Sequence, residues 1–86
     1  MRLDKFLKVS RIIKRRTIAN EISSEGHIAI NGKKAMPSSA LKVGDQITIY
    51  FAKKEVVYEV LELKDSTKKE DATKMFKVLS EKMRVE

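Results

Sequence analysis

Lys14-Arg15-Arg16-Thr17-Ile18-Ala19-Asn20-Glu21-Ile22-Ser23-Ser24-Glu25-Gly26-His27-Ile28-Ala29-Ile30-Asn31-Gly32-Lys33-Lys34 is the stretch around which the chain is organised. Three cations lead into the apolar positions Ile18, Ala19 and Ile22. This spacing predicts a short amphipathic helix that begins between Arg15 and Thr17, with Thr17 as N-cap and Gly26 as the left-handed C-cap. Ile28 and Ile30 then alternate with Ala29 on a strand. Asn31-Gly32 is the dipeptide favoured in a type I′ hairpin turn, because both central residues need positive φ. Lys33 and Lys34 leave that turn together, so a small scaffold holds two cationic clusters apart, as a folded RNA backbone would require. Arg15 and Arg16 stand where a helix dipole favours anions by up to about 1 kcal/mol. A phosphate shared with the exposed N–H groups would relieve that conflict, which ranks these two arginines above other cations.

Toward the N-terminus, Leu3, Phe6 and Leu7 recur at i, i+3 and i+4 and predict a first short helix, with Arg2, Lys5 and Lys8 on a neighbouring arc. Asp4 has two open readings: an intrahelical partner for Lys8, worth about 0.2–0.5 kcal/mol, or a carboxylate that orients Arg2 or a nearby basic group. Val9 to Ile13 form a connector, with Ile12 and Ile13 packing inward. His27, the only histidine, is expected at the surface or in a hydrogen bond.

Toward the C-terminus, Ala35 to Leu41 read as a loop or irregular edge around Pro37, which cannot donate to a central ladder. Val43-Gly44-Asp45 is a turn. It leads into a half-buried strand on which Ile47, Ile49 and Phe51 alternate with Thr48 and Tyr50. After a connection over Ala52 to Glu55, Val56 to Leu63 predict a strand with apolar residues on both faces: Val56, Tyr58 and Val60 on one, Val57, Leu61 and Leu63 on the other. A last helix is expected to cover the second face. Thr67 and Glu70 have capping-box spacing, and Ala72, Met75, Phe76, Leu79 and Met83 form a helical stripe. That stripe either completes the core or docks a partner.

The charge is unevenly distributed. Of the net +7, residues 1–34 carry nine Lys or Arg against three acids, and the rest carries ten against nine. A basic half joined to a near-neutral half presents one preferred face to a polyanion. The 86 residues suffice for one domain, and the absence of cysteine excludes disulfides and thiolate metal sites. No metal and no cofactor are expected. Neither a signal-peptide pattern nor an apolar run of the roughly 18 residues needed for a membrane span occurs, so a cytoplasmic address without membrane association is expected.

Arg2-Leu3-Asp4, Lys14-Arg15-Arg16, Gly26-His27-Ile28-Ala29-Ile30-Asn31-Gly32-Lys33 and Val43-Gly44-Asp45 together resemble, in order, the S-four RNA-binding domain family, also called the alpha-L motif. The resemblance implies an α+β fold: two short N-terminal helices packed on a small, mostly antiparallel sheet over residues 1–63, with residues 64–86 as a C-terminal helical extension packed on the same domain. Because no second domain is evident, and from Glu62-Leu63-Lys64-Asp65-Ser66-Thr67 onward, the chain is similar to the stand-alone bacterial branch that acts in ribosome-associated quality control. It is also similar to the fifteen-kilodalton heat-shock proteins. Membership of that branch would imply binding to the stalled large ribosomal subunit through 23S rRNA and peptidyl-tRNA. It would also imply assistance to a factor that adds a C-terminal alanine tail to the nascent chain. Matched onto this sequence, Arg2 and Arg16 are the leading RNA contacts, followed by Asp4, Lys5, Arg15 and Lys33. Lys8, Arg11, Lys14 and Lys34 are supporting phosphate contacts. A monomer is expected.

Four other readings compete with this one. An enzyme lacks support, with one His, no Cys, no phosphate-cradling glycine loop and no conspicuous carboxylate pair. In a DNA-binding helix-turn-helix the second helix would present a long basic face, whereas here it runs into a hairpin. The remaining alternatives are a generic ribosome-associated RNA-binding heat-shock factor and a protein adaptor that uses the C-terminal helix.

Overall fold

The alternation read between Ile28 and Tyr58 builds the centre of a five-stranded antiparallel sheet. The computed structural model describes residues 1–13, 27–51 and 54–83. Helix α1 (Leu3–Val9) is followed by β1 (Ile28–Ile30), β2 (Lys33–Lys34), β3 (Gln46–Tyr50) and β4 (Lys54–Val60). A short helix α2 (Lys69–Ala72), a 3₁₀ turn (Thr73–Met75) and β5 (Phe76–Met83) complete the order. The strands lie in the order β2-β1-β3-β4-β5. Registers Ile28↔Ile49, Ile47↔Tyr58 and Ile49↔Val56 place the alternating apolar residues on one face. Against that face packs α1, whose Leu3, Phe6 and Leu7 are wholly buried. Each such side chain contributes about 1.5–3 kcal/mol relative to an exposed one. Ile13 joins the core and Ile12 packs at its margin, as the connector reading expected.

Helix α1 has no side-chain bond from its N-cap Arg2, and its first N–H groups are satisfied partly from outside and partly by its own Asp4. Leu3 donates to the carbonyl of Ser39 at 2.8 Å, Asp4 to that of Pro37 at 3.1 Å, and Lys5 to Asp4 Oδ1 at 2.8 Å. The bend around Pro37 thus serves as the helix's N-terminal cap. At the other end, Arg11 adopts the left-handed conformation (φ 62°) in which glycine usually ends a helix, and its N–H donates to Lys8 O at 3.1 Å. The predicted helix from Arg15–Thr17 to Gly26 lies outside the described residues.

The last helix needs correction. Only Lys69–Ala72 is α-helical, Lys68 rather than Thr67 takes the N-cap position, and the chain from Phe76 to Met83 is a strand paired with β4. The first two stripe positions, Ala72 and Met75, are fully buried, so they do complete the core. Beyond them a different term dominates. A helix shorter than about 12–15 residues is marginal in water, and without β5 the ladder groups of β4 would stand unpaired along an open edge. Pairing over residues 76–83 satisfies them, and Phe76 packs edge-on against Tyr58 with ring centroids 5.4 Å apart. Leu79 and Met83 consequently remain exposed, and the segment expected to cover the second face of β4, where Val57 lies, extends the sheet instead.

Candidate nucleic-acid interface

Arg2 precedes α1 and is tied to it by the helix's own first-turn acid. Its Nε donates to Asp4 Oδ1 and its Nη2 to Asp4 Oδ2, both at 3.2 Å. Asp4 is 1% exposed, whereas the Arg2 side chain is 55% exposed. The carboxylate therefore acts from inside as an anchor. A guanidinium carries five N–H donors in a rigid plane; two engage Asp4, and three remain to face an incoming anion. Of the two readings left open for Asp4, the structure realises the orientation of Arg2.

Arg2, Lys5, Lys8 and Arg11 recur every three residues. Successive members on the helix step about 60° short of a full turn and about 4.5 Å along the axis, which makes a gently spiralling cationic row. Lys8 and Arg11 are exposed and, among the described residues, pair with no carboxylate. Lys5 pairs with Asp65 at 3.1 Å. Arg2 itself bridges backbone-to-backbone to Ala40, at the end of the Pro37 bend.

The second cationic cluster sits on the hairpin. Asn31 and Gly32 take φ 51° and 84°, as the turn type requires, and Lys33 and Lys34 follow as exposed residues on β2. Two turns that are far apart in sequence lock this tip. Asn31 Nδ2 donates to Asp45 Oδ1 at 3.0 Å, and Asn31 Oδ1 accepts the N–H of Gln46 at 2.9 Å. Asp45 Oδ2 accepts the N–H of Lys42 at 3.0 Å. Asp45 is only 5% exposed, and both its oxygens are used. From Lys34 the chain reaches Pro37, whose carbonyl caps α1, in three residues, a span of at most about 11 Å. Hairpin and helix cations are thereby coupled through one short, hydrogen-bonded segment.

The structure accordingly brings Arg2, Asp4, Lys5, Lys8 and Arg11 together along α1 and places Lys33 and Lys34 on the adjoining hairpin. Lys14, Arg15 and Arg16 lie outside the described residues. The sequence reading missed the positioning roles of Asn31 and Asp45. Both turns are legible as motifs, but nothing in their spacing announces that they pair with each other. Among the described residues no cluster of His, Cys, Asp or Glu could hold a metal ion, and no helix is long and apolar enough to cross a membrane.

The S4 domain family matches residues 1–47, the part that carries α1, both turns and the hairpin. The RQC P-site tRNA stabilizing factor of Bacillus subtilis is 57% identical over 81 residues, covering 94% of each chain. The protein of the same name from Streptococcus pneumoniae is 58% identical over 81 residues, covering 94% of this chain and 92% of that one. Among solved structures, trimeric heat shock protein 15 of Vibrio cholerae superposes with a TM-score of 0.83 at 27% identity, over 93% of this chain and 82% of that one. With the Arg2–Asp4 pair, the Asn31-Gly32 turn and the Gly44-Asp45 turn all inside or at the edge of the matched region, the chain belongs to the S4-domain family, in the group of the RQC P-site tRNA stabilizing factors.

Proposed function

We propose that this protein is a non-catalytic RNA-binding factor of ribosome-associated quality control. In this reading it binds the stalled large ribosomal subunit through 23S rRNA and the peptidyl-tRNA, acts as a monomer in the cytoplasm, and assists the factor that adds the alanine tail. The observation that carries it is the half-exposed Arg2 fork, held by a buried carboxylate at the head of a cationic row and joined to the Lys33-Lys34 hairpin. Phosphate contacts from such a row set affinity and salt dependence, whereas the fixed separation of row and hairpin reads RNA shape. The names of the relatives point to tRNA in the ribosomal P site. A net charge of +7 also disfavours self-association and favours a polyanionic partner.

A factor of this kind acts by binding one arrangement of tRNA and rRNA more tightly than its competitors, and so shifts the equilibrium while its partner works. Residues 1–63 supply the RNA-binding surface, and residues 64–86 serve as an extension of the same domain. The adaptor alternative loses the helix on which it relied, because Leu79 and Met83 lie on a strand. The decisive experiment recovers RNA with the tagged protein from lysate at moderate salt, beside an Arg2→Ala/Arg16→Ala variant. Recovery of 23S rRNA with tRNA, lost in the variant, is the expected result. Small-subunit RNA, or no RNA, would overturn the ribosomal assignment.

A further inference from the structure

The concave surface of greatest chemical interest is not on the hairpin but behind the cationic row. A groove of about 610 Å³ runs between α1 and the segment that leads into α2, lined by Lys5, Lys8 and Arg11 on one side and by Asp65, Thr67 and Lys69 on the other. Its second wall lies wholly beyond the region that the S4 domain family matches, residues 1–47. Among the described residues, four cations and a single carboxylate face one another there. Among the described residues Lys8, Arg11 and Lys69 have no carboxylate partner, and Lys5 has only Asp65.

Cations gathered in a concavity repel one another and focus positive potential into it, so the groove as built favours an anion. Asp65 already supplies one. Its carboxylate lies 3.1 Å from Lys5 Nζ, but the side chain is 89% exposed, and an ion pair so open to water contributes little and exchanges partners readily. Lys5 is thus occupied by a weak, displaceable ligand. Arg11 adds an independent sign of a site: it keeps a long cationic side chain at a left-handed backbone position (φ 62°) that glycine would fill without strain.

We propose that this groove holds a phosphodiester of the bound RNA, and that Asp65 is the intramolecular anion this phosphate displaces from Lys5. The inference rests on the RNA-binding reading and extends it: the Asp65–Lys69 segment is a second wall of the RNA site, with Lys69 as a contact and Asp65 as a brake. The consequence has an unusual sign. Removing the Asp65 carboxylate frees Lys5 and tightens binding, whereas removing Lys69 loosens it.

The test is equilibrium binding of the full chain to purified large ribosomal subunits carrying peptidyl-tRNA, over a salt series. The variants are Asp65→Asn, Lys69→Ala, Lys5→Ala, Lys5→Ala/Asp65→Asn, Arg2→Ala and Glu55→Gln. Glu55→Gln makes the same charge change as Asp65→Asn on β4, away from the groove. Expected are an affinity gain of about 2- to 5-fold for Asp65→Asn and a loss of about 3- to 10-fold for Lys69→Ala, with a salt slope shallower by about one. The gain should vanish in the Lys5→Ala background, and Glu55→Gln should have no effect. All five substituted side chains are exposed or half-buried, and circular dichroism checks that each of the six variants is folded. If Glu55→Gln tightens binding as much as Asp65→Asn, the effect is one of total charge and the proposal is overturned. It is equally overturned, with the RNA-binding reading intact, if Arg2→Ala weakens binding while Asp65→Asn and Lys69→Ala change nothing. Absence of subunit binding by the parent chain would sink both.

Discussion

Replacing Arg11 by glycine should move stability and binding in opposite directions. A residue with a Cβ in the left-handed region costs roughly 1–2 kcal/mol, and Arg11 sits there at φ 62°. Glycine removes that strain but gives the unfolded chain extra freedom, worth about 0.4–1 kcal/mol in the other direction. The N–H of residue 11, which donates to Lys8 O at 3.1 Å, is kept in the variant, and the side chain lost is an exposed one. The net expectation is a stabilisation of about 0.5–1 kcal/mol, or a rise in Tm of about 2–8 °C for a domain of this size. Binding to large subunits should weaken, with the salt slope reduced by about one, as one phosphate contact disappears. Thermal unfolding by circular dichroism and a salt series of binding isotherms measure the two effects on the same preparation. A less stable variant would mean that Arg11 is held by contacts rather than strained. A variant that is more stable but binds as well as the parent would remove Arg11 from the interface.

Three further outcomes follow. Asn31→Ala should cost about 2–3 kcal/mol in urea unfolding, because it combines left-handed strain with the loss of the side-chain bonds to Asp45 and Gln46; Asn31→Gly, which keeps the turn conformation, should cost about 1 kcal/mol less. Asp4→Ala should lower stability by about 2–3 kcal/mol through loss of a buried, charge-assisted acceptor, and should weaken subunit binding even though it removes a negative charge. Tyr58 has its hydroxyl pKa raised above 10.0, first by burial and then by the charge of Glu81. A raised folded-state value means that this stabilisation is complete below the unfolded value and is lost as pH rises through the folded one. Denaturation midpoints of the parent chain should therefore fall above about pH 10, and Tyr58→Phe should flatten that fall.

Local chemistry made the hairpin legible. Asn31-Gly32 demands its turn, and Ile28, Ile30, Ile47 and Ile49 alternate as one face, so three strands and their inward residues could be read directly. Helix α1 was legible for the same reason at the other period. The C-terminal segment was not, because Ala72, Met75, Phe76, Leu79 and Met83 satisfy a helical stripe while only the first two are fully buried. What decided residues 76–83 was the open edge of β4, a feature of the sheet and not of the segment. The site divides similarly. Its candidate cations are nominated by type and motif, but the positions of those on α1 and the hairpin depend on long-range partners: Asn31 with Asp45, and α1 with the carbonyls of Pro37 and Ser39.

Two carboxylates beside the cationic row illustrate how burial changes what a neighbouring acid does to a cation of the proposed RNA site. Among the described residues Asp4 pairs with Arg2 at 3.2 Å and Asp65 with Lys5 at 3.1 Å, so distance does not separate them. Asp4 is almost wholly out of water, accepts the Lys5 N–H as well, and cannot leave without stranding a buried charge, so it aims Arg2. Asp65 stands in water, so it gives up Lys5 at little cost and competes with any phosphate that approaches. Neutralising the first should therefore weaken RNA binding, and neutralising the second should strengthen it. A purely electrostatic account of a +7 protein and a polyanion predicts that both substitutions strengthen binding. The opposite signs expected for Asp4 and Asp65 therefore distinguish a positioned site from a merely basic surface.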